Sequence, residues 1–229
     1  GYFGFATITA VIINKLVSLS VVIFSIFFRS SVIGFDEIFP HVWTIINILA
    51  GSIVGAYFAA DYACKISQKS LNKIILAMLA ILALSMLLGH EYIKAGKPLF
   101  ESQTLLFSSG IVAGVLIGVV AAVLGVAGGE FIIPTLILLY GCDPKLAGSL
   151  SLCISLPTML AAFFRYSQGE QFKEAIKHKS FIVFMIIGSA FGSAMGATML
   201  GIVDSALITV ILGAILLISA FKVFKKDTR

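Results

Sequence analysis

The chain has 229 residues, of which 59% are hydrophobic and 12% are charged, and its net charge at pH 7 is +5. Soluble domains are roughly 45–50% apolar and about 25% charged, so this composition, with a mean hydropathy of +1.09, excludes a soluble fold. The basic residues form no tract for nucleic acid, and the three cysteines lack metal-ligand spacing. We therefore predict an all-α polytopic protein embedded in a lipid bilayer.

Eight apolar segments follow one another, separated by short polar or glycine-containing connections. Most of them reach the length of about 20 residues that crosses a hydrocarbon core, whereas the fifth is short. In chain order they cover residues 5–28, 42–60, 71–88, 104–124, 131–140, 146–164, 181–200 and 206–224. We expect each to be a helix.

A shift of 137 residues aligns two parts of the chain without gaps. The clusters GSIVGAYFAA and GSAFGSAMGA then coincide in spacing as well as in composition, which argues against chance matching of small residues. The sequence therefore predicts two repeats, the first lacking its counterpart of residues 102–137, which would precede Gly1. The predicted parts are a first repeat at residues 1–89, an extracytoplasmic connection at 90–101 and a second repeat at 102–229.

The basic residues of the connections predict the orientation of the chain in the membrane. Eleven Lys and Arg residues lie in the loop at residues 65–73, in the loop at 165–179 and near the C-terminus, and the other connections hold four. The positive-inside rule places the first group in the cytoplasm, so we expect a bacterial inner-membrane protein with a cytoplasmic C-terminus. The loop at 65–73 then lies opposite its repeat counterpart near Asp204, which makes the repeats inverted.

The stretch GVAGGEFIIPT, from Gly125 to Thr135, interrupts the apolar pattern. The connection at 90–101 and the loop at 165–179 are predicted on opposite sides of the membrane, so an odd number of membrane crossings must separate them. The short apolar segment after the glycines must therefore cross the membrane, although about ten helical residues span only roughly 15 Å. A helix that begins at such a break directs N–H groups and the positive end of its dipole towards a cavity, which favours an anion. Inverted repeats with broken helices are typical of secondary transporters.

Close helix packing is the alternative explanation of these glycines. We prefer that explanation for GSIVGAYFAA and GSAFGSAMGA, but for GVAGGE we favour the broken helix because a glutamate and a proline accompany the glycines.

Two stretches, GVAGGEFIIPTLILLYGCDPKLAGSLSL and AVIINKLVSL, resemble the signatures of the TauE/SafE sulfite exporter family. In that family a glycine-rich turn precedes a proline-containing apolar run, and an Asn-Lys pair occurs in the first repeat. The resemblance implies a permease that moves a small anion, namely sulfite, another sulfur oxyanion or an organosulfonate. Glu130 stands where many members have a further glycine.

Lys15 is the main candidate for binding the anion. It lies near the middle of the first apolar segment, where a lysine costs about 2.5–3.5 kcal/mol unless it faces a polar cavity. The alternative is a lysine that snorkels to the membrane interface. The residues that we predict to bind the substrate are Asn14, Lys15, Ser18, Gly125, Gly128, Gly129, Glu130, Pro134, Ser149 and Ser151.

Glu130 has two open interpretations. In the first, it exchanges protons during transport, which would make protons the coupling ion. In the second, it accepts N–H bonds at the start of its own helix. The sequence has no metal cluster, catalytic triad or phosphate-binding loop, so we expect neither an enzyme nor a cofactor. Two other functions stay open: a carrier of a different small metabolite, and a non-transporting assembly or sensor subunit.

Overall fold

The computed structural model describes residues 7–62, 76–77, 79–84, 98–124, 127–168 and 170–227. Helices account for nearly all of these residues, and no β-strand occurs among them, which confirms the all-α class. Residues 76–77 and 79–84 are also helical. The labelled helices are α1 (Thr7–Arg29), α2 (Phe35–Ile38), α3 (Val42–Tyr62), α4 (Gln103–Leu124), α5 (Gly129–Tyr140), α6 (Pro144–Ser167), α7 (Glu170–Ile176), α8 (Lys179–Ile202) and α9 (Ser205–Asp227), and a 3₁₀ turn, Phe39–His41, joins α2 to α3.

Five stretches of the described chain are long and apolar enough to cross a membrane. They belong to α1, to α2 and α3 together, to α4, to α6 and to α8, while α5 and α9 supply shorter apolar helices. This confirms a polytopic membrane protein. The predicted segment at residues 71–88 lies mostly outside the described residues.

Helices α3 and α4 make the most extensive helix contact. The contact depends on Gly51 and Gly55 of α3 and on Gly114 and Gly118 of α4, since a Cβ at any of these positions would collide with backbone atoms of the other helix. Small residues permit such close approach in membrane helices. The packing explanation of GSIVGAYFAA is therefore confirmed.

The second glycine cluster lies in a different environment. A Cβ added at Gly188, Gly192 or Gly196 of α8 would have no described atom within 4 Å. The glycines of GSAFGSAMGA therefore make no close contact among the described residues, although α8 packs on α1, where Ser25 donates to Ser193 of this cluster at 3.1 Å.

The helix boundaries of the two halves can be compared through the predicted repeat. The shift of 137 residues carries α1 onto residues 144–166, which α6 covers, and α3 onto residues 179–199, which α8 covers. It also carries the short helix α2 onto residues 172–175 within α7. The two halves thus share an order of long, short and long helices, and the inverted orientation of the repeats stays a prediction.

The short helix α5 lies in the interior of the structure. Its side chains Phe131, Ile132 and Leu136 are buried against Leu150 of α6 and Ile117 of α4 within one apolar cluster. Most side chains of α5 are buried, and α5 contacts both α4 and α6. This arrangement positions the candidate site.

Candidate functional site

Helix α5 begins at a glycine break, as the sequence predicts. Its N-cap residue Gly128 has a φ of 80°, a left-handed conformation that side chains other than glycine rarely adopt. The carbonyl oxygen of Gly128 accepts the N–H groups of Phe131 and Ile132, both at 3.0 Å. A Cβ on Gly128 would also lie 3.2 Å from the Cβ of Ala121 on α4. Gly128 therefore allows both the turn and its contact with α4.

Helix α5 is too short to cross a membrane as a helix alone. Its 12 residues span about 18 Å, less than a hydrocarbon core of about 30 Å. The first amides of a helix have no acceptor within that helix, so the N–H groups of Gly129 and Glu130 form the positive end of α5. At its other end, Gly141 also has a positive φ, of 67°, and donates to the carbonyl of Ile137 at 3.1 Å. Gly125 lies outside the described residues.

Lys15 is buried beside this break, with only 1% of its surface exposed. Its Nζ donates to the carbonyl oxygen of Ala121 at 3.5 Å, which is a long hydrogen bond. Ala121 lies in the last turn of α4, where carbonyl groups lack donors within the helix and carry the negative end of its dipole. The Lys15 ammonium therefore lies at the C-terminal end of α4, and the same residue, Ala121, contacts Gly128.

Helix α6 contributes hydroxyl groups next to the start of α5. A Cβ on Gly129 would lie 3.9 Å from the Oγ of Ser151, which donates to the carbonyl of Gly148 at 2.8 Å. Ser155 follows one turn later on the same side of α6. It is 1% exposed, and its Oγ has no partner among the described residues. Ser155 is therefore a buried donor near the face of α6 that contacts the break.

The structure brings together only part of the predicted set. Lys15 and Gly128 both contact Ala121, and Gly129, which follows Gly128, lies near Ser151. Of the other predicted residues in the described chain, Asn14 and Glu130 are exposed, Ser18 is half-buried, Pro134 is buried inside α5, and Ser149 is buried facing a different cavity.

Proline lies within both helices of the site. Pro134 in α5 and Pro157 in α6 have no N–H to donate, so the carbonyls of Glu130 and Cys153 lose the donor four residues ahead. The first turn of α5 and the middle of α6 are consequently held by fewer backbone hydrogen bonds than an uninterrupted helix.

An apolar groove of about 550 Å³ lies between α4, α5 and the helical residues 81–82. It contains three hydroxyl groups, but those of Ser108, Ser109 and Thr135 donate to backbone carbonyls of their own helices. None of the described residues that line the groove is charged. Its chemistry suits lipid chains and does not suit an anion.

Sequence reasoning missed three polar contacts between helices, one buried and two partly buried. Asn47 donates to the hydroxyl of Tyr140 at 2.6 Å, and the hydroxyls of Ser52 and Thr158 lie 2.6 Å apart. Arg29, which the sequence suggested to be a loop residue, is packed against the start of α6. Arg29 lies two heptads after Lys15, so a helix places both side chains near the same side. This spacing is visible in the sequence and would have indicated that Arg29 faces protein as Lys15 does.

The comparisons with known proteins cover this region. The family model "Sulfite exporter TauE/SafE" matches residues 110–229, which is more than half of the chain. The match includes the break at Gly128, all of α5 and the serines of α6, but it does not include Lys15. No protein of curated function and no solved structure matches the chain.

Proposed function

The chain belongs to the TauE/SafE sulfite exporter family of membrane transporters, and we propose that it carries sulfite, another sulfur oxyanion or an organosulfonate across the membrane by alternating access. The observation that supports this most is the burial of Lys15 with its ammonium at the C-terminal end of α4, on the carbonyl of Ala121, the residue that also contacts Gly128 before α5. A buried ammonium near a helix start that directs N–H groups outwards favours a negatively charged ligand.

The ammonium supplies most of the attraction in this proposal. A unit charge about 4 Å from an anion contributes on the order of 4 kcal/mol in a medium of intermediate dielectric, before desolvation is subtracted. In the structure the ammonium is bound to the Ala121 carbonyl at 3.5 Å, a weak contact that an anion can displace. The amides at the start of α5 and the hydroxyl of Ser155 then orient the anion through partial charges.

The short helix supplies the moving part. Pro134 leaves the first turn of α5 with fewer hydrogen bonds, so this turn is the element of the site that changes position at the lowest cost. Family membership and the matching helix order of the two halves support a repeat architecture, which in secondary transporters places the substrate between the repeats. We place the protein in the bacterial inner membrane with a cytoplasmic C-terminus.

Protons are our candidate for the coupling ion. Glu130 lies in the first turn of α5, and its carboxylate is exposed and makes no hydrogen bond to a described residue. A carboxylate in this position can exchange protons with the solvent while the neighbouring amides bind the anion. Glu130→Gln removes the charge, so we expect transport by this variant to lose its dependence on an applied pH gradient.

Reconstitution of the full-length protein in liposomes tests the function. We expect flux of labelled sulfite, thiosulfate or a sulfonate that saturates with concentration and is reduced in Lys15→Gln. Lys179→Gln is the matched control, because Lys179 is an exposed lysine at the start of α8. A correctly inserted protein that moves none of these anions would contradict the proposal, and would favour another metabolite or a non-transporting subunit.

A further inference from the structure

A small cavity lies between the end of α1 and the first turns of α6. Its volume is about 20 Å³, and Arg29 and Ser149 line it together with mainly apolar side chains. A cavity of about 10–15 Å³ already holds one water molecule, so this one accommodates a single atom or ion of similar size. Arg29 follows Lys15 on α1 by a distance of about 21 Å along the helix axis, so this cavity is separate from the Lys15 site.

Arg29 brings a guanidinium group to the cavity. Its Nη2 donates to the carbonyl of Lys145 at 3.0 Å, and a Cβ added at Gly148 would lie 2.5 Å from that nitrogen. The guanidinium therefore rests on the backbone of α6 where glycine leaves space for it. The Nε–H of Arg29 is buried and donates to no described residue.

Ser149 provides a second donor. It is 4% exposed, and its buried Oγ has no partner among the described residues. Serine and threonine in helices commonly donate to a carbonyl of the preceding turn, and on α6 both Ser151 and Thr158 do so at 2.8 Å. The Ser149 hydroxyl makes no such bond and lines the cavity.

The charge around the cavity is positive. Arg29 forms no ion pair with any carboxylate of the described chain, and the carboxylates closest in sequence to the cavity wall, Asp36 and Glu37 of α2, are exposed. Asp143 is exposed as well and accepts the N–H of Lys145 at 2.8 Å. A partly buried guanidinium whose Nε–H has no described partner, next to the unpartnered Ser149 hydroxyl and near the positive end of α6, favours an anion over a water molecule.

We propose that Arg29 and Ser149 bind a small anion, whose single acceptor atom receives the Nε–H of Arg29 and the Oγ–H of Ser149. The acceptor is a halide such as chloride or one oxygen of an oxyanion. This second site does not rest on the proposed transport function. In the predicted topology it lies at the extracytoplasmic end of α1, where it would hold an anion outside the central site.

Thermal unfolding of the purified full-length protein tests the site. Chloride or sulfite replaces gluconate, which is bulkier than either anion, at constant ionic strength, and the rise in the unfolding midpoint gives an apparent dissociation constant. We expect stabilisation of the wild type, no anion-dependent shift in Arg29→Gln, and at least about tenfold weaker binding in Ser149→Ala. In gluconate, Ser149→Ala should be no less stable than the wild type, because it removes a buried hydroxyl that has no partner.

Two control variants make the result specific. Ser189→Ala removes a hydroxyl on α8 that donates to the carbonyl of Ile186, and it should leave the dissociation constant unchanged. Lys15→Gln removes the central ammonium, so an anion-dependent shift in the unfolding midpoint that persists in this variant belongs to the Arg29 site. Stabilisation by chloride but not by sulfite identifies a halide site, and stabilisation by sulfite identifies an oxyanion site. Absence of any shift in Lys15→Gln, or unchanged anion binding in Ser149→Ala, would overturn the proposal.

Discussion

The ammonium of Lys15 and the carbonyl of Ala121 lie 3.5 Å apart, although 106 positions separate these residues in the chain. The contact fastens the middle of α1 to the last turn of α4, immediately before the break that starts α5. The buried cation therefore lies at the negative end of α4, and Ala121 links it to the glycine break that precedes α5. An anion that binds here would compete with the Ala121 carbonyl for the ammonium.

Lys15 is expected to determine the affinity for the anion. Lys15→Gln keeps a donor of similar length but removes the charge, so the apparent affinity should fall at least tenfold, a change of about 1.4 kcal/mol. Lys15→Arg keeps the charge and should retain part of the affinity. It should lose the rest because the planar guanidinium does not match a site shaped for a compact ammonium. Saturation of labelled anion uptake in proteoliposomes measures both values.

A matched variant separates charge at the site from charge on the protein. Lys179→Gln makes the same chemical change on an exposed lysine and should keep the wild-type affinity. If Lys15→Gln also transported with unchanged affinity, Lys15 would serve only to hold α1 against α4, and the anion would bind elsewhere.

The glycines of the break are expected to differ in their tolerance of a side chain. Gly128→Ala forces alanine into a left-handed conformation that costs about 1–2 kcal/mol and pushes its Cβ against Ala121 and Ile117. Gly129→Ala places its Cβ in ordinary contact, 3.9 Å from Ser151, and should fold normally. Gly129→Val adds branches beside the first amides of α5 and should abolish transport while membrane insertion is kept.

Insertion, thermal stability and flux measured together for the three glycine variants check this order. Wild-type flux in a correctly inserted Gly129→Val protein would mean that the break serves helix packing and does not approach the substrate.

The sequence predicts the lengths of these helices and the position of the break well, because both depend on local signals. Gly128, Pro134 and Gly141 mark the short helix α5, and the hydropathy of the surrounding run marks Lys15 as exceptional. Each of these signals follows from backbone geometry or from the cost of a charge in lipid.

The rotation of each helix about its axis is much harder to predict. A helix in a membrane is apolar on the side that faces lipid as well as on the side that faces protein, so composition does not distinguish the two sides. Asn14 is therefore exposed although its neighbour Lys15 is buried, and Ser149 faces Arg29 although Ser151 faces Gly129. One step along a helix turns a side chain by about 100°, which decides between these environments.

The topology is expected to place the C-terminus and the loop at residues 65–73 on the same side of the membrane. The prediction rests on the eleven basic residues in the connections assigned to the cytoplasm, against four in the others. Reporter fusions after Arg229 and within KISQKSLNK should both report the cytoplasm. Fusions that report opposite sides would contradict the inverted-repeat arrangement.

Two glycines at equivalent positions of the predicted repeats should respond in opposite ways to the same substitution. Gly55→Ala on α3 would push its Cβ into the backbone at Val115 of α4, and such overpacking typically costs about 1–3 kcal/mol. Gly192→Ala on α8 meets no described atom within 4 Å, so it should be neutral or, through its helix propensity, stabilising by up to about 1 kcal/mol. Unfolding by SDS in mixed micelles compares the two variants directly. An equal loss of stability in both would mean that the glycine face of α8 is covered in the native protein as closely as α4 covers the face of α3.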